Sequence, residues 1–177
     1  MNILMIDGYN VIARGMARDP QRDFGSDEAR REYREKLIQL AKRHVADKKG
    51  LEVRIYFDGG VERAAPELSG RRVKVFFAKG AEGADHAIIK FCRSHPAPRS
   101  IEVATDDHNT LTFYIRSHVG KLLSVAELMH RLDPDFTPAP VPASSRSSAA
   151  AVAEERRRLS DSECRAINQT LPDHWFR

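Results

Sequence analysis

Five aspartates follow, or nearly follow, short apolar runs of the chain. Asp7 comes directly after Asn2–Ile6, Asp58 after Glu52–Phe57, and Asp106 with Asp107 after Ser100–Ala104, while Asp85 stands in the first turn of the helical stretch that succeeds Arg72–Ala78. If these runs are parallel strands of one sheet, the carboxylates collect at its carboxyl edge, where open α/β sheets bind their ligands. Four or five such groups repel one another strongly unless a cation neutralises them. Mg²⁺ suits that hard oxygen donor set and keeps waters of its own. Such a site can activate a water and stabilise the oxygens of an in-line phosphoryl displacement.

Each acid also has an ordinary use. Asp85 would complement a helix dipole, Asp106 or Asp107 would N-cap the helix that follows, and Asp58-Gly59-Gly60 and Asp7-Gly8 are turn sequences. Together these uses require several coincidences on one edge, so the set favours a metal site. Other chemistries find less support. The P-loop pattern is absent, since Gly80-Ala81-Glu82-Gly83 lacks its lysine and spacing. There is no Gly-x-Ser-x-Gly elbow, no His-x-x-x-His pair, and Cys92 and Cys164 lie too far apart to suggest zinc. An aspartyl phosphatase would want a second acid two residues after Asp7, where Tyr9 stands.

Basic and aromatic residues flank the same strand ends. Arg14, Arg18, Arg63 and Lys79 are placed to hold a phosphate backbone, and Tyr9 to stack on a base, with a packing role equally open for it. Arg30, Arg31 and Arg34 alternate with Asp27, Glu28, Glu32 and Glu35. That run reads as a solvated helix face carrying Asp27–Arg31 and Glu32–Lys36 pairs.

The elements that must position these groups alternate between strand and helix. Ile3–Ile6 is a continuous apolar run, as in a central strand covered on both faces. Ala29, Tyr33, Leu37, Leu40, Ala41 and Val45 recur at helical spacing, predicting a helix over Ser26–Asp47 with Ser26 as its cap. Glu52–Phe57, Arg72–Ala78, Ser100–Ala104 and Gly120–Leu123 are the further strands. Helices are predicted over Gly83–Arg93 and from about Asp107 to Arg116. Ser124 with Glu127 forms a capping box that opens a last helix bearing Val125, Leu128, Met129 and Leu132. The fold class is therefore α/β, a mainly parallel sheet of about five strands with right-handed crossovers.

A chain of 177 residues with 41% apolar content holds one domain and buries roughly 70% of its unfolded surface. No apolar run approaches the ~20 residues of a membrane span, and two cysteines make no disulfide framework, so a soluble intracellular, cytoplasmic protein is expected. Residues 1–132 carry 23 Lys and Arg against 18 Asp and Glu, and the remainder 6 against 7. A mildly basic body suits a polyanionic partner. Four of the nine prolines fall at 134, 138, 140 and 142, ahead of Ser144-Ser145-Arg146-Ser147-Ser148. The domain is thus set at 1–132, a flexible linker at 133–150, and a tail with short helical stretches at 151–177. Trp175 and Phe176 either pack back on the body or hook a protein partner.

Ile3-Leu4-Met5-Ile6-Asp7-Gly8-Tyr9-Asn10-Val11-Ile12, Tyr56-Phe57-Asp58, Glu82-Gly83-Ala84-Asp85, Val103-Ala104-Thr105-Asp106-Asp107 and Leu123-Ser124-Val125-Ala126-Glu127-Leu128 resemble the NYN domain family. The resemblance is to its bacterial YacP-like branch, within the PIN-like nucleases, and covers residues 1–132. It implies a three-layer α/β/α fold and an endoribonuclease dependent on Mg²⁺ or Mn²⁺, acting on RNA that is free or presented in a ribonucleoprotein. By that pattern Asp7, Asp85 and Asp107 bind metal, Asn10 and Asp58 line the pocket, and Thr105 shapes the loop before Asp107. Tyr9, Arg14, Lys79, Thr105 and His108 are the RNA-facing candidates. Two positions depart from the pattern: Asp106 stands where relatives commonly have a small residue, leaving open which of the adjacent pair is the ligand, and His108 stands where they carry arginine. Relatives often have a further acid where Ile89 and Lys90 stand. The tail after Asp133 shows no such resemblance. An RNA-binding adaptor on the same fold, and a metal-dependent phosphatase or DNA nuclease, are the competing readings.

Overall fold

The computed structural model describes residues 1–17, 26–59, 63–78, 83–107 and 111–135, and of residues 63 and 64 the backbone alone. Strand β1 (Asn2–Asp7) runs directly into a short helix α1 (Gly8–Val11), which continues as a π-helical turn over Ile12–Met16. There follow α2 (Asp27–Ala46), β2 (Leu51–Asp58), β3 (Arg63–Ala64), β4 (Val73–Ala78), α3 (Gly83–Ser94) and a 3₁₀ turn at Pro98–Ser100. The chain goes on through β5 (Ile101–Ala104), α4 (Leu111–Ile115), β6 (Lys121–Leu123) and α5 (Val125–Leu132).

Local sequence accounts for most of these boundaries. The Ser26 hydroxyl accepts the Ala29 N–H at 3.1 Å, and Asp27 and Glu28 complement the positive end of α2. At α5 the capping box closes in both directions: Ser124 Oγ accepts the Glu127 N–H at 3.2 Å, and the Glu127 carboxylate accepts the Ser124 N–H at 2.9 Å.

The sheet order is β3-β4-β2-β1-β5-β6, with five parallel strands and β3 as a two-residue antiparallel edge. Alternate residues of each strand enter two cores. Leu4, Ile6, Val53, Ile55 and Phe57 face α2 and α5, whereas Ile3, Met5, Tyr56, Ile101 and Val103 face α3 and α4. The result is the three-layer α/β/α arrangement, with the strands buried on both faces as their continuous apolar runs required. Each fully buried Leu, Ile or Phe contributes about 1.5–3 kcal/mol. Among the described residues no helix is long and apolar enough to cross a membrane.

Several details differ from the sequence-based expectation. The segment after Asp7 is helical rather than a loop, because Asp7 caps it and the next residue lacks a side chain. A Cβ on Gly8 would fall on the Phe57 ring and 2.8 Å from the Tyr56 carbonyl. Strand β3 escaped notice because two residues carry no periodicity. Of the helix expected from Asp107 to Arg116, Leu111–Ile115 is helical among the described residues, and residues 108–110 lie outside them. On α2 the ion pairs are Arg30–Asp27 at 3.3 Å and Arg31–Glu35 at 2.8 Å, not those foreseen. Cys92 is buried with its thiol 3.7 Å from Met5 Sδ, and burial pushes its pKa up to about 12, so it is inert core. The linker and tail, with Cys164, Trp175 and Phe176, lie outside the described residues.

Candidate active site

Strand β1 is the topological switch of the sheet. The chain winds from β1 outward through β2 to β4 on one side, then returns to β5 and β6 on the other. Neighbouring crossovers that diverge leave a crevice at the carboxyl end of the switch strand. Asp7 is the last residue of that strand, in register with Tyr56 of β2 and one step beyond the Ile6–Ala104 pairing with β5. It is only 5% exposed.

Two elements hold the Asp7 carboxylate. Its Oδ1 accepts the Asn10 N–H at 3.4 Å, as the N-cap of α1, and its Oδ2 accepts the Thr105 hydroxyl at 3.1 Å. Thr105 Oγ in turn accepts the Asp107 N–H at 3.0 Å. The Asn10 side-chain oxygen accepts the Asp106 N–H at 2.9 Å. Thus α1 and the β5 exit loop are tied together around Asp7.

The remaining acids come from the neighbouring strand exits. Asp58 Oδ1 accepts the Ala84 N–H at 2.6 Å and so anchors the start of α3 at the end of β2. Gly83 makes that approach possible: its φ is +45°, and a Cβ there would stand 2.6 Å from the same oxygen. In the first turn of α3, Asp85 comes within electrostatic reach of Asp7, Asp107 and Asp58. Burial and then the Asp85 charge push Asp7 up to about 7; Asp58 adds to this, while the Thr105 and Asn10 hydrogen bonds oppose it. Asp85 is raised as well, by burial, then Asp107, then Asp58. Four carboxylates from four segments therefore act on one another electrostatically.

Asp106 is turned elsewhere. Its Oδ1 accepts the Val125 N–H at 3.0 Å, at the positive end of α5. Its capping role therefore falls on the last helix rather than on the helix directly after it.

The fit to a divalent cation rests on donor chemistry. Asp7, Asp58, Asp85 and Asp107 are hard oxygen donors, and their mutual repulsion adds to the burial that raises Asp7 and Asp85, as in a site that gains from positive charge. Among the described residues no three acidic, imidazole or thiol groups form a ready-made cation cage.

The RNA-facing candidates divide. Thr105 is 3% exposed and spends its hydroxyl between Asp7 and Asp107, so it is a positioning residue and not a contact for a strand outside. Tyr9 is half-buried, its ring edge-on to Phe57 at 5.2 Å and its hydroxyl accepting from Arg34 Nη1 at 2.8 Å. Arg14 is exposed on the π-helical turn. Lys79 and His108 lie outside the described residues, as does Arg18, and the side chain of Arg63 is not described. Sequence reasoning missed Arg34, whose guanidinium also lies 5.7 Å from the centre of the Phe77 ring. Its charged neighbours on α2 concealed it, and the one available signal was its place on the helix one residue after the half-buried Tyr33.

A three-layer α/β/α fold with acids gathered at the switch point of a parallel sheet is the arrangement that the resemblance to the PIN-like nucleases implied. The chain belongs to the YacP-like NYN domain family, whose sequence model matches residues 4–171. That match runs well beyond residue 132, so the tail, which carries none of the quoted motifs, falls largely within the family's extent. Two solved structures are similar to it. The crystal structure of Rae1 (YacP) from Bacillus subtilis is 25% identical, with a TM-score of 0.59 over 96% of this chain and 92% of that one. A tryptophan-to-leucine mutant of the same Bacillus subtilis protein is 27% identical, with a TM-score of 0.57 over 92% and 89% of the two chains. No curated protein matches the chain.

Proposed function

We propose that the protein is a Mg²⁺- or Mn²⁺-dependent endoribonuclease. The observation that carries the reading is the burial of Asp7 at the switch point, which with the Asp85 and Asp58 charges raises its pKa to about 7, while Asp107 acts on Asp85. Asp7, Asp85 and Asp107 would hold the ion, with the second oxygen of Asp58 beside them. Asp106, committed to α5, supports the loop instead. When bound, a divalent cation supplies charge neutralisation at the scissile phosphate and lowers the pKa of water.

The chain's own residues provide the rest. Thr105 and Asn10 fix the Asp7 carboxylate, Asp58 fixes the first turn of α3 and hence Asp85, and the buried walls limit competing water. Arg14, with Lys79 and His108, would steer the RNA backbone, and Tyr9 with Arg34 would border its path. In the reaction the water oxygen bonds to phosphorus, the P–O3′ bond breaks and O3′ takes up a proton, leaving a 5′-phosphate and a 3′-hydroxyl. The substrate is cytoplasmic RNA, free or carried in a ribonucleoprotein.

Cleavage of end-labelled single-stranded RNA with Mg²⁺ or Mn²⁺, wild type beside Asp7→Asn and with EDTA, tests this. Cleavage lost in both the variant and EDTA supports the nuclease. Equal cleavage by variant and wild type overturns this assignment of the site. Binding of RNA without cleavage by either points to an adaptor on the same fold.

A further inference from the structure

The amino edge of the sheet carries an excess of positive charge, and the carboxyl edge gathers the acids of the candidate site. Segments at the amino edge, residues 42–52, 70–74, 90–102, 116–121 and 130–135, hold thirteen Lys and Arg against five Asp and Glu. The carboxyl edge is where Asp7, Asp58, Asp85 and Asp107 meet. Topology produces the first half of this pattern, since helices returning between parallel strands all end at the amino edge. Cations in the last turns, such as Arg43, Arg93 and Arg131, complement helix dipoles. That does not account for Lys48, Lys49, Arg71 and Arg72, which lie in the connections outside the helices.

The cations concentrate where α2 and α5 end. Between those ends lies a cleft of about 360 Å³ whose charged lining is Arg43, Lys48 and Arg131 together with Asp47 and Asp133. Arg131 is paired with Glu102 at 2.7 Å. Among the described residues Arg43 and Lys48 form no ion pair. The Arg72 guanidinium closes the end of α2 by donating to the Ala46 and Lys48 carbonyls, bringing another positive charge alongside. His44 senses the excess. It lies 3.0 Å from Lys48 Nζ, and burial, then the Lys48 charge, hold it below the usual imidazole value; a hydrogen bond to the Arg131 backbone opposes this, and the Arg131 charge adds to it.

We propose that this amino edge, centred on the α2–α5 cleft, is a docking surface for the phosphodiester backbone of RNA, separate from the edge at which the strand would be cut. The proposal rests on the nuclease reading above and identifies a second part of the substrate. Six residues of β1 separate the two edges by about 20 Å. A folded RNA can reach both edges, and a strand of a few nucleotides cannot.

The test is fluorescence anisotropy of the full chain in EDTA, with a folded RNA of about 30 nucleotides and a single strand of about six. The double variant Arg43→Glu/Lys48→Glu is compared with wild type and with Arg31→Glu/Lys36→Glu, which reverses two exposed charges elsewhere on α2. For the folded RNA the cleft variant should bind at least ~10-fold more weakly and lose about two from the slope of log K against log salt, with the control well short of that. Its thermal midpoint should fall by no more than the loss of a helix-end cation allows, and its Mn²⁺-dependent cleavage of the short strand should match wild type. Unchanged binding of the folded RNA, or equal losses in the two variants, overturns the docking surface while short-strand cleavage leaves the nuclease standing. A wild type that binds and cuts neither RNA removes both. Displacement of the folded RNA by poly-glutamate as readily as by unlabelled RNA overturns the RNA assignment in favour of an acidic protein partner.

Discussion

The hydroxyl of Thr105 donates to Asp7 Oδ2 at 3.1 Å across 98 residues of sequence, while the same oxygen accepts the Asp107 N–H at 3.0 Å. One buried side chain thus sets the spacing between two of the acids that would share a cation. It also opposes the burial that raises the Asp7 pKa.

Replacing that hydroxyl by a methyl of the same shape should expose its role. In Thr105→Val the Asp7 carboxylate loses a stabilising donor, its pKa rises further, and the acid limb of the pH–rate profile moves upward. Activity at pH 7 should fall about 10-fold, in the range of a lost hydrogen bond to a charged group of about 1.5 kcal/mol. Thr105→Ser should restore the wild-type profile. A uniform loss at every pH in both variants would mean that Thr105 contributes packing alone.

The raised pKa of Asp7 has a thermodynamic consequence for the metal-free protein. Between its ordinary value of 3.8 and about 7 the folded state keeps a proton that the unfolded chain has released. Stability from this group is therefore fully present below 3.8 and is lost as pH climbs through 7. The difference is up to about 4 kcal/mol. Asp7→Asn should abolish that slope and melt several degrees above wild type at pH 8 in EDTA, the gap narrowing as pH falls and closing only below about 3.8. Mn²⁺ should raise the wild-type midpoint at pH 8 and leave Asp7→Asn nearly unmoved. Melting curves that run parallel in pH would show that Asp7 is ionised without penalty.

Asp106 and Asp107 should separate cleanly. Asp106→Ala removes the acceptor for the Val125 N–H and should cost about 1 kcal/mol of stability, as the loss of a helix-end acceptor does, with Mn²⁺ affinity little changed. Asp107→Ala should weaken Mn²⁺ binding at least ~10-fold by calorimetry. The reverse pattern would assign the ligand to Asp106 and make the observed hydrogen bond incidental.

Much of the framework was legible because it is local. A cap and its partner lie three residues apart, so Ser26 and the Ser124–Glu127 box could be read directly, and the Ile3–Ile6 run announced a strand buried on both faces with Asp7 at its exit. The alternation of elements then required a parallel sheet and placed the acids on one edge. Where local signals were thin the reading failed: β3 is too short to show a period, and Asp7-Gly8-Tyr9-Asn10 has the composition of a turn although it starts a helix.

What only the tertiary structure decided depends on contacts between residues distant in the chain. The adjacent Asp106 and Asp107 are told apart only by such contacts: the Asp106 N–H is bound by Asn10, 96 positions before it, and its carboxylate by the Val125 N–H, 19 positions after it. Arg34 looks like one charge among many until Tyr9, 25 residues earlier, is packed beside it. The pKa of Asp7 belongs to no residue singly, since it arises from burial and from carboxylates contributed by other segments. Residue type and periodicity specify which groups reach the edge of the sheet. Which way each of them turns there is determined by hydrogen bonds that form only after the strands have been brought side by side.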